Sequence, residues 1–372
     1  MADSSLQDAS AVVFGGGAGW GSRIRDVLVQ LGSEVRVVEK DAASADVRGA
    51  IDSSDIVFLA IPDNLIESVL TSWRGRLTGK IVIDCASNKS GFERALKELA
   101  VDASVCSTHP MVVSSTSPRG HSVLVMPVGS RAQPAVAVAN AIFAALGMTI
   151  ETFDFDRHAE AMIIVQMVPH LVQRLLIQSL GHGLSVASMT IADISRIAPA
   201  NYLLAELGLG RVAAQRPDVS AGIVATALAQ PFGRQILDDM RGMIQTVLDS
   251  GTRRDELARL FAASVDVLDP GGDWRREMQQ RTEAALVRLG NLRSRRFVVE
   301  APNRRGILRG ILSILIDNHN IDMTALDSQL VTDESGGPIA RFEIGITDES
   351  VDFARLEADL DAIGARVASV GG

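Results

Sequence analysis

The first 40 residues carry the pattern that most restricts the fold. A compact apolar run at residues 11–14 enters a glycine-rich turn at residues 15–21, and apolar residues then recur at helical spacing up to Gly32. A second apolar segment begins at Glu34 and ends in the acid Glu39. A strand, a glycine turn, a helix and a strand that ends in a carboxylate together form the opening of a dinucleotide-binding α/β unit.

The residue types in this turn suit a pyrophosphate. Glycines let the backbone approach it closely, and the N-terminus of the following helix presents N–H groups and the positive end of a dipole. A carboxylate at Glu39 accepts hydrogen bonds from the adenosine ribose and repels a 2′-phosphate, so NAD is favoured over NADP. Alanine replaces the middle glycine of the usual motif. The predicted cofactor-binding residues are Gly16, Gly17, Ala18, Gly19, Trp20, Gly21, Glu39 and Pro62.

Alternating strands and helices continue to about residue 155. Apolar runs at residues 56–61 and 80–85 predict parallel strands buried on both faces. The loops that follow them contain Pro62 and Ser87, at the carboxyl edge where such sheets bind ligands. His109 precedes a proline and is therefore pushed into extended geometry, so we expect it in a strand-to-loop turn at the same edge.

After residue 155 the predicted secondary structure changes twice. Long helical patterns fill residues 156–292, with Pro199 expected to interrupt one helix. Residues 293–372 read as β-α-β-β-α-β, with a turn at residues 336–337. The sequence therefore predicts an α/β Rossmann-like domain at 1–155, an all-α dimerisation domain at 156–292 and a ferredoxin-like domain at 293–372.

Composition restricts the cellular compartment and the classes of binding partner. A net charge of −9 argues against nucleic acid or an anionic membrane, and two cysteines imply no disulfide framework, as in a reducing cytoplasm. The polar, acidic N-terminus does not resemble a signal peptide, and the apolar stretch at 135–148 is too short to span a bilayer. No cluster has metal-ligand spacing, so we predict no metal.

Several separated motifs, in this order, resemble the prephenate dehydrogenase (cyclohexadienyl dehydrogenase) family over nearly the whole chain. The motifs lie at residues 15–21, 86–89, 108–111, 166–170 and 210–217. The core looks closest to the enterobacterial type, here expected without the chorismate mutase that is fused to it, and residues 303–308 and 320–322 look like an ACT regulatory domain. The resemblance implies NAD-dependent oxidative decarboxylation of a prephenate-type cyclohexadiene.

The resemblance also implies roles for individual residues. His109 would accept a proton from the substituent on ring carbon 4, and Ser87 would orient that substituent. Arg211 would bind a carboxylate of the substrate, with His170 and Gln166 nearby in the pocket. Residue chemistry alone leaves open that Arg211 is a cation at a helix end and that His170 is a hydrogen-bonded core histidine.

The implied partners are small molecules and a second copy of the chain. The substrate would be a dicarboxylate, the helical domain would form a homodimer, and an aromatic amino acid would bind the ACT domain near Asn303, Gly306 and Leu308. No motif supports a function for the remaining histidines, which are His121, His158, His182 and His319.

Two departures from the family pattern bear on the substrate. Residues 112–115 replace a loop that usually contains glycine or proline, and Leu203 stands where the enterobacterial type has a second arginine. Prephenate is the first expectation, and 4-amino-4-deoxyprephenate and arogenate are alternatives. A non-catalytic amino-acid-sensing protein is a further alternative, as is another two-domain NAD enzyme such as a hydroxyacid or imine reductase.

Overall fold

The computed structural model describes residues 6–99, 103–291, 295–332, 338–347 and 350–371. The chain divides into two compact units, the first made of Met1–Leu171 and Pro217–Asp239 and the second of Val172–Arg216 and Met240–Gly372. The three-domain division remains a prediction. The start of its last domain at residue 293 and the turn at residues 336–337 lie outside the described residues.

The strands and helices of the described residues follow the expected alternation. The strands are β1 Ser10–Phe14, β2 Glu34–Val38, β3 Ile56–Leu59, β4 Ile81–Asp84, β5 Ser104–Pro110, β6 Ser122–Val128, β7 Thr149–Thr152, β8 Arg295–Pro302, β9 Met323–Thr332, β10 Pro338–Ile346 and β11 Arg366–Gly371. The helices are α1 Gly19–Gln30, α2 Ser44–Asp52, α3 Asp63–Trp73, α4 Ser90–Leu99, α5 Gln133–Ala145, α6 His158–Met162, α7 Val168–Ala187, α8 Ile191–Ile197, α9 Ala200–Ala214, α10 Pro217–Leu228, α11 Pro231–Ser250, α12 Arg254–Leu268, α13 Asp273–Asn291, α14 Ile307–Ser313 and α15 Phe353–Asp361. A short 3₁₀ turn occupies Arg74–Arg76, and π-helical turns occupy Ile163–Met167 and Ile314–Asn318.

The first unit is built on a seven-stranded sheet in the order β2-β1-β3-β4-β5-β6-β7. Neighbouring strands are parallel except β5 and β6, which are antiparallel. Helices α1 and α5 bury apolar side chains against one face, while α2, α3 and α4 cover the other. The predicted Rossmann-like architecture is therefore confirmed, and the carboxyl ends of β1, β3, β4 and β5 meet at one edge of the sheet.

His109 lies inside β5 and not in a turn after it. It pairs in register with Leu124 of β6, and its side chain is 2% exposed. The extended geometry expected before Pro110 is present, but antiparallel pairing with β6 continues β5 through the proline. The sequence gives no direct signal for this antiparallel partner, so the strand is longer than expected.

The helices behave as their proline residues require. Pro199 separates α8 from α9 as predicted, and Pro231 begins α11.

The span His158–Ala187 is one continuous helix with a π turn inside it, and it is long and apolar enough to cross a membrane by length and composition. Core helices of soluble proteins share those properties, so one such helix is weak evidence for a membrane.

The second unit contains a four-stranded antiparallel sheet in the order β11-β8-β10-β9. Its elements follow one another as strand, helix, strand, strand, helix, strand, and α14 and α15 contribute buried side chains to one apolar core with the sheet. The assignment of this region to an ACT domain remains a prediction.

The glycine turn depends on one close approach, and a pair of substitutions tests it. A Cβ on Gly21 would lie 2.0 Å from the carbonyl oxygen of Gly15, whereas a Cβ on Gly49, inside α2, would meet nothing within 4 Å. We expect Gly21→Ala to lower the free energy of unfolding by about 1–3 kcal/mol through overpacking. The matched Gly49→Ala should raise it by about 0.5–1 kcal/mol.

Urea denaturation of the full chain measures both changes. Equal effects of the two substitutions, or an undiminished stability of Gly21→Ala, would contradict the close approach of α1 to the turn.

Candidate active site

A cleft of about 690 Å³ lies within the first unit at the carboxyl edge of the parallel sheet. Its size falls in the range of small-molecule sites. The walls are formed by the glycine turn, the loops after β3 and β4, the start of the helix His158–Ala187 and helix α10. The predicted site residues that line it are Ala18, Gly19, Trp20, Pro62, Ser87 and Gln166.

The glycine turn has the geometry of a phosphate-binding loop. Gly15 has a positive φ of 74°, and a Cβ there would lie 2.5 Å from the carbonyl oxygen of Ala60. Ala18 occupies an extended conformation at φ −149°, so alanine is tolerated where the motif usually has glycine. Ala18 has no side chain that could cap α1, so the first N–H groups of that helix are left to a ligand.

Glu39 is held against this turn. Its Oε1 accepts a hydrogen bond of 2.7 Å from the backbone N–H of Gly17, and its side chain is exposed. A carboxylate beside the turn is placed where a dinucleotide presents its adenosine ribose hydroxyls. The glycine turn, the helix N-terminus without a side-chain cap and this carboxylate together fit a dinucleotide. The predicted residues of this region that do not line the cleft are Gly16, Gly17, Gly21 and Glu39.

The two loops after β3 and β4 are joined by hydrogen bonds. Asn88 donates from Nδ2 to Oδ2 of Asp63 at 2.8 Å, and its own Oδ1 accepts from the backbone N–H of Ser90. This contact brings Pro62 and Ser87 to the same cleft, as their positions after neighbouring parallel strands predicted.

Two buried histidines touch at the end of β5. Nδ1 of His109 lies 3.0 Å from Nε2 of His158, and the ring centroids are 5.2 Å apart in an edge-to-face arrangement. Both residues are 2% exposed, but only His158 belongs to the cleft wall. His109 therefore lies behind His158 as seen from the cleft.

A buried ion pair fixes the strand ends beneath these histidines. Nζ of Lys89 donates to Oδ2 of Asp84 at 2.8 Å and to the carbonyl oxygen of Thr108 at 2.7 Å. Thr108 in turn donates from its hydroxyl to the carbonyl oxygen of Asp84 at 2.7 Å. These bonds tie the ends of β4 and β5 together directly next to His109.

Burial and the Lys89 cation keep the two imidazoles neutral. Desolvation, followed by the charge of Lys89 and by His158, holds the pKa of His109 well below its usual range. Desolvation and the charge of Lys89 lower the pKa of His158 to about 3. Burial also raises the pKa of the Cys85 thiol to about 12, so this cleft residue is not a thiolate.

The remaining predicted residues lie elsewhere. His170 is buried next to Ser220, with Nδ1 of the ring 3.4 Å from the hydroxyl oxygen, and neither residue lines the cleft. Arg211 is exposed on α9 in the second unit. The side chain of Leu203 lies outside the described part of the chain.

The residues proposed for an effector lie in the second unit as well. Gly306 has a positive φ of 87° and precedes α14, Asn303 is exposed in the loop after β8, and Leu308 packs on the C-terminal core.

His158 was not among the predicted site residues, but the structure places it in the cleft wall. A usable signal was present, because His158, Met162 and Gln166 recur at a four-residue spacing and so share one face of a helix. All three residues line the cleft. Lys89 was recognised as part of a motif, but its burial could not be read from the sequence.

Comparison with known proteins matches part of the chain to a family model. Residues 29–151 match the sequence model of "Prephenate dehydrogenase, nucleotide-binding domain". No curated protein matches the chain.

The solved structures that resemble the chain at low sequence identity include the following three. A protein assigned as a prephenate dehydrogenase from Corynebacterium glutamicum is 15% identical, covers 76% of this chain and 97% of its own, and has a TM-score of 0.51. Arogenate dehydrogenase from Synechocystis is 19% identical, covers 70% and 99%, and has a TM-score of 0.50. Prephenate dehydrogenase from Aquifex aeolicus, solved with hydroxyphenyl propionate and NAD+, is 14% identical, covers 71% and 99%, and has a TM-score of 0.49.

The fold and the glycine turn define a dinucleotide-binding domain. Residues 29–151 match the nucleotide-binding domain of prephenate dehydrogenases. The expectation of a nicotinamide dinucleotide cofactor is thereby confirmed.

The buried histidine pair makes stability depend on pH. Both imidazoles are neutral in the folded chain, whereas an unfolded histidine has a pKa near 6.5, so the unfolded state takes up more protons as the pH falls. We expect the contribution of the two histidines to the free energy of unfolding to be complete above pH 6.5. It should fall below that pH by up to about 1.4 kcal/mol per pH unit for each histidine, down to about pH 3 for His158.

Urea denaturation between pH 7 and pH 5 measures this slope. His158→Asn should make the slope shallower, while His121→Asn, which replaces an exposed histidine of the same unit, should leave it unchanged. An identical slope in wild type and His158→Asn would show that the pair does not stay neutral.

Proposed function

We propose that this protein is an NAD-dependent dehydrogenase that oxidatively decarboxylates a prephenate-type cyclohexadiene, with prephenate as the substrate and 4-hydroxyphenylpyruvate as the product. One observation carries the proposal. A pair of neutral imidazoles lies at a cleft that one of them, His158, lines together with Ser87 and part of the glycine turn, and residues 29–151 match the nucleotide-binding domain of prephenate dehydrogenases. A neutral imidazole is the proton acceptor that oxidation of a ring alcohol requires.

The cofactor would be held by residues already in place. The glycine turn and the N-terminus of α1 would bind the pyrophosphate, Glu39 would accept hydrogen bonds from the adenosine ribose, and Pro62 would border the nicotinamide side. When bound, NAD supplies the acceptor for the hydride that leaves ring carbon 4.

The chain's own residues would prepare the substrate for that transfer. Ser87 would orient the hydroxyl on carbon 4 by a hydrogen bond, and the His109 pair would accept its proton as the carbonyl forms. Loss of the ring carboxylate as carbon dioxide then gives the aromatic product. Burial and the charge of Lys89 keep the imidazoles neutral at cellular pH, so a ring nitrogen can accept a hydrogen bond from that hydroxyl.

Substrate binding would draw on three further residues. Arg211 would bind a substrate carboxylate through its planar pair of donors, and Gln166 lies in the cleft wall where it can reach the ring. His170 would act indirectly, because its contact with Ser220 joins α7 to α10, which forms one wall of the cleft.

The charges of the cleft also favour a second substrate class. Asp63, Glu93 and Asp218 line it, and among its described lining residues Lys89 is the only lysine or arginine. Carboxylates stabilise a nearby ammonium group, as in 4-amino-4-deoxyprephenate or in the side chain of arogenate. The amino analogue, which would give 4-aminophenylpyruvate, is therefore the second candidate.

We further propose a cytoplasmic homodimer that an aromatic amino acid regulates. Large apolar side chains are exposed on helices of the second unit, among them Val186, Ile197, Leu248 and Val267, and their burial would stabilise a second copy. The antiparallel sheet with α14 and α15 would serve as an ACT domain, with the effector near Asn303, Gly306 and Leu308.

A substrate comparison tests the reaction. Purified protein with NAD and prephenate, arogenate or 4-amino-4-deoxyprephenate should reduce the cofactor, followed by absorbance, with the highest kcat/KM for prephenate. A higher kcat/KM for the amino analogue would reverse the order of the two candidates. No reduction with any of the three would favour a non-catalytic sensing protein.

Substitutions of Arg211 test the carboxylate anchor. Arg211→Ala should raise KM about 10-fold or more with a smaller change in kcat, and Arg211→Lys should recover only part, because a lysine cannot make the paired hydrogen bonds. Arg196→Ala is the control, since that exposed arginine of the same unit is bonded to Asp193. An unchanged KM in Arg211→Ala would identify this arginine as a surface cation.

A further inference from the structure

The loop that joins β5 to β6 is attached to the helix that follows the glycine turn. This β5–β6 loop comprises residues 111–121 and starts directly after Pro110, the last residue of β5. Nε of Arg23, in α1, donates to the carbonyl oxygen of Ser114 at 2.9 Å, and Nη2 donates to that of Thr116 at 3.4 Å. One guanidinium group therefore holds two carbonyl oxygens of the loop.

Two further contacts bring the loop against the start of the same helix. The side chain of Ser114 lies on Gly19, the first residue of α1, where a Cβ would be 3.4 Å from the serine hydroxyl oxygen. Val112 packs against the apolar core to which Trp20 also contributes. Since Gly19 and Trp20 line the cleft, the loop lies against the turn of α1 that forms part of the cleft wall.

This first turn is the part of α1 that a dinucleotide would stabilise. Ala18, which precedes it, provides no side-chain cap. A phosphate bound to the first N–H groups of a helix restrains its first turn. Because Ser114 packs on Gly19 and Arg23 follows one turn later, that restraint extends to the β5–β6 loop.

We propose that Arg23 is a positioning residue that couples dinucleotide binding to the β5–β6 loop and thereby to the end of β5, where His109 lies. Only Pro110 separates His109 from the loop, and the backbone N–H of Met111 is bonded to the carbonyl oxygen of Ser122 in β6, so a displacement of the loop acts directly on the strand end. The coupling requires only the dinucleotide, whereas its effect on the reaction rests on the proposed function.

Arginine is the side chain that suits this role. Its planar guanidinium presents several donors in fixed directions and can hold two carbonyl oxygens at once, whereas the ammonium of a lysine is a flexible point charge. Arg25, two residues later on α1, donates to the carbonyl oxygen of Gly16 in the glycine turn. The two arginines therefore connect one helix to the phosphate-binding turn and to the loop after His109.

Hydrogen exchange of the β5–β6 loop, measured by mass spectrometry on the full chain with and without NAD, tests the coupling. In the wild type, NAD should slow exchange of the loop amides by about fivefold or more, as for a typical coupling between two sites. Arg23→Met keeps a long side chain without donors, so NAD should leave exchange of its loop unchanged. Arg48→Met, which replaces an exposed arginine of α2, is the control and should behave as the wild type.

Steady-state kinetics with prephenate and NAD give the second readout. Arg23→Met should lower kcat by about tenfold, because the strand end that carries His109 is held less precisely. KM for prephenate should stay within about threefold of wild type, since Arg23 does not line the cleft. Arg23→Lys should recover part of both the loop protection and kcat, and it provides the same comparison if Arg23→Met does not fold.

The outcomes separate this inference from the proposed function. Equal protection of the loop by NAD in wild type and Arg23→Met, or no protection in wild type, would overturn the coupling. Faster exchange throughout the seven-stranded sheet in Arg23→Met would also contradict it, because Arg23 would then be merely structural. Lost loop protection with an unchanged kcat would refute the positioning role. A wild-type loop that NAD protects, in a protein that oxidises none of the three substrates, would support the coupling and refute the proposed function.

Discussion

The buried ion pair between Lys89 and Asp84 is the interaction on which the site depends. Both side chains are almost fully buried, and Lys89 also bonds to the carbonyl oxygen of Thr108, so one ammonium group connects the ends of β4 and β5. Burying two charges is expensive, and removing either partner would leave the other uncompensated at a cost of about 3–5 kcal/mol. The ion pair lies where Ser87 follows β4 and His109 stands near the end of β5.

The same ammonium group determines how the histidines behave. A cation beside two buried imidazoles opposes their protonation, and desolvation acts in the same direction. Asp84 neutralises Lys89 overall, and among the residues that the structure describes its Oδ1 has no hydrogen-bond partner. The fold thus keeps a base neutral by placing a salt bridge near it and by excluding water.

The succession of strands and helices could be predicted from the sequence, whereas the contacts between side chains in the site could not. Hydrophobic periodicity, the glycine turn and Pro199 were sufficient to predict the sheet and most helices, because each is a local signal. Helix α2 was missed because its pattern is short. The extension of β5 through Pro110 depends on pairing with β6, and the contact of His109 with His158 joins residues 49 positions apart. Such contacts arise from tertiary packing, and no local sequence pattern indicates them.

The π-helical turn at Ile163–Met167 has a consequence for how this cleft could change. A π turn contains more residues per revolution than an α turn, so each residue advances less around the helix axis and Gln166 stays on the face of His158. If the same residues wound as a regular α-helix, each would advance by about 100° and α7 would be rotated relative to His158. The wall of the cleft is therefore set by helix phase as well as by side chains, and a substitution that converts the π turn to an α turn would change the wall without replacing any residue that lines it.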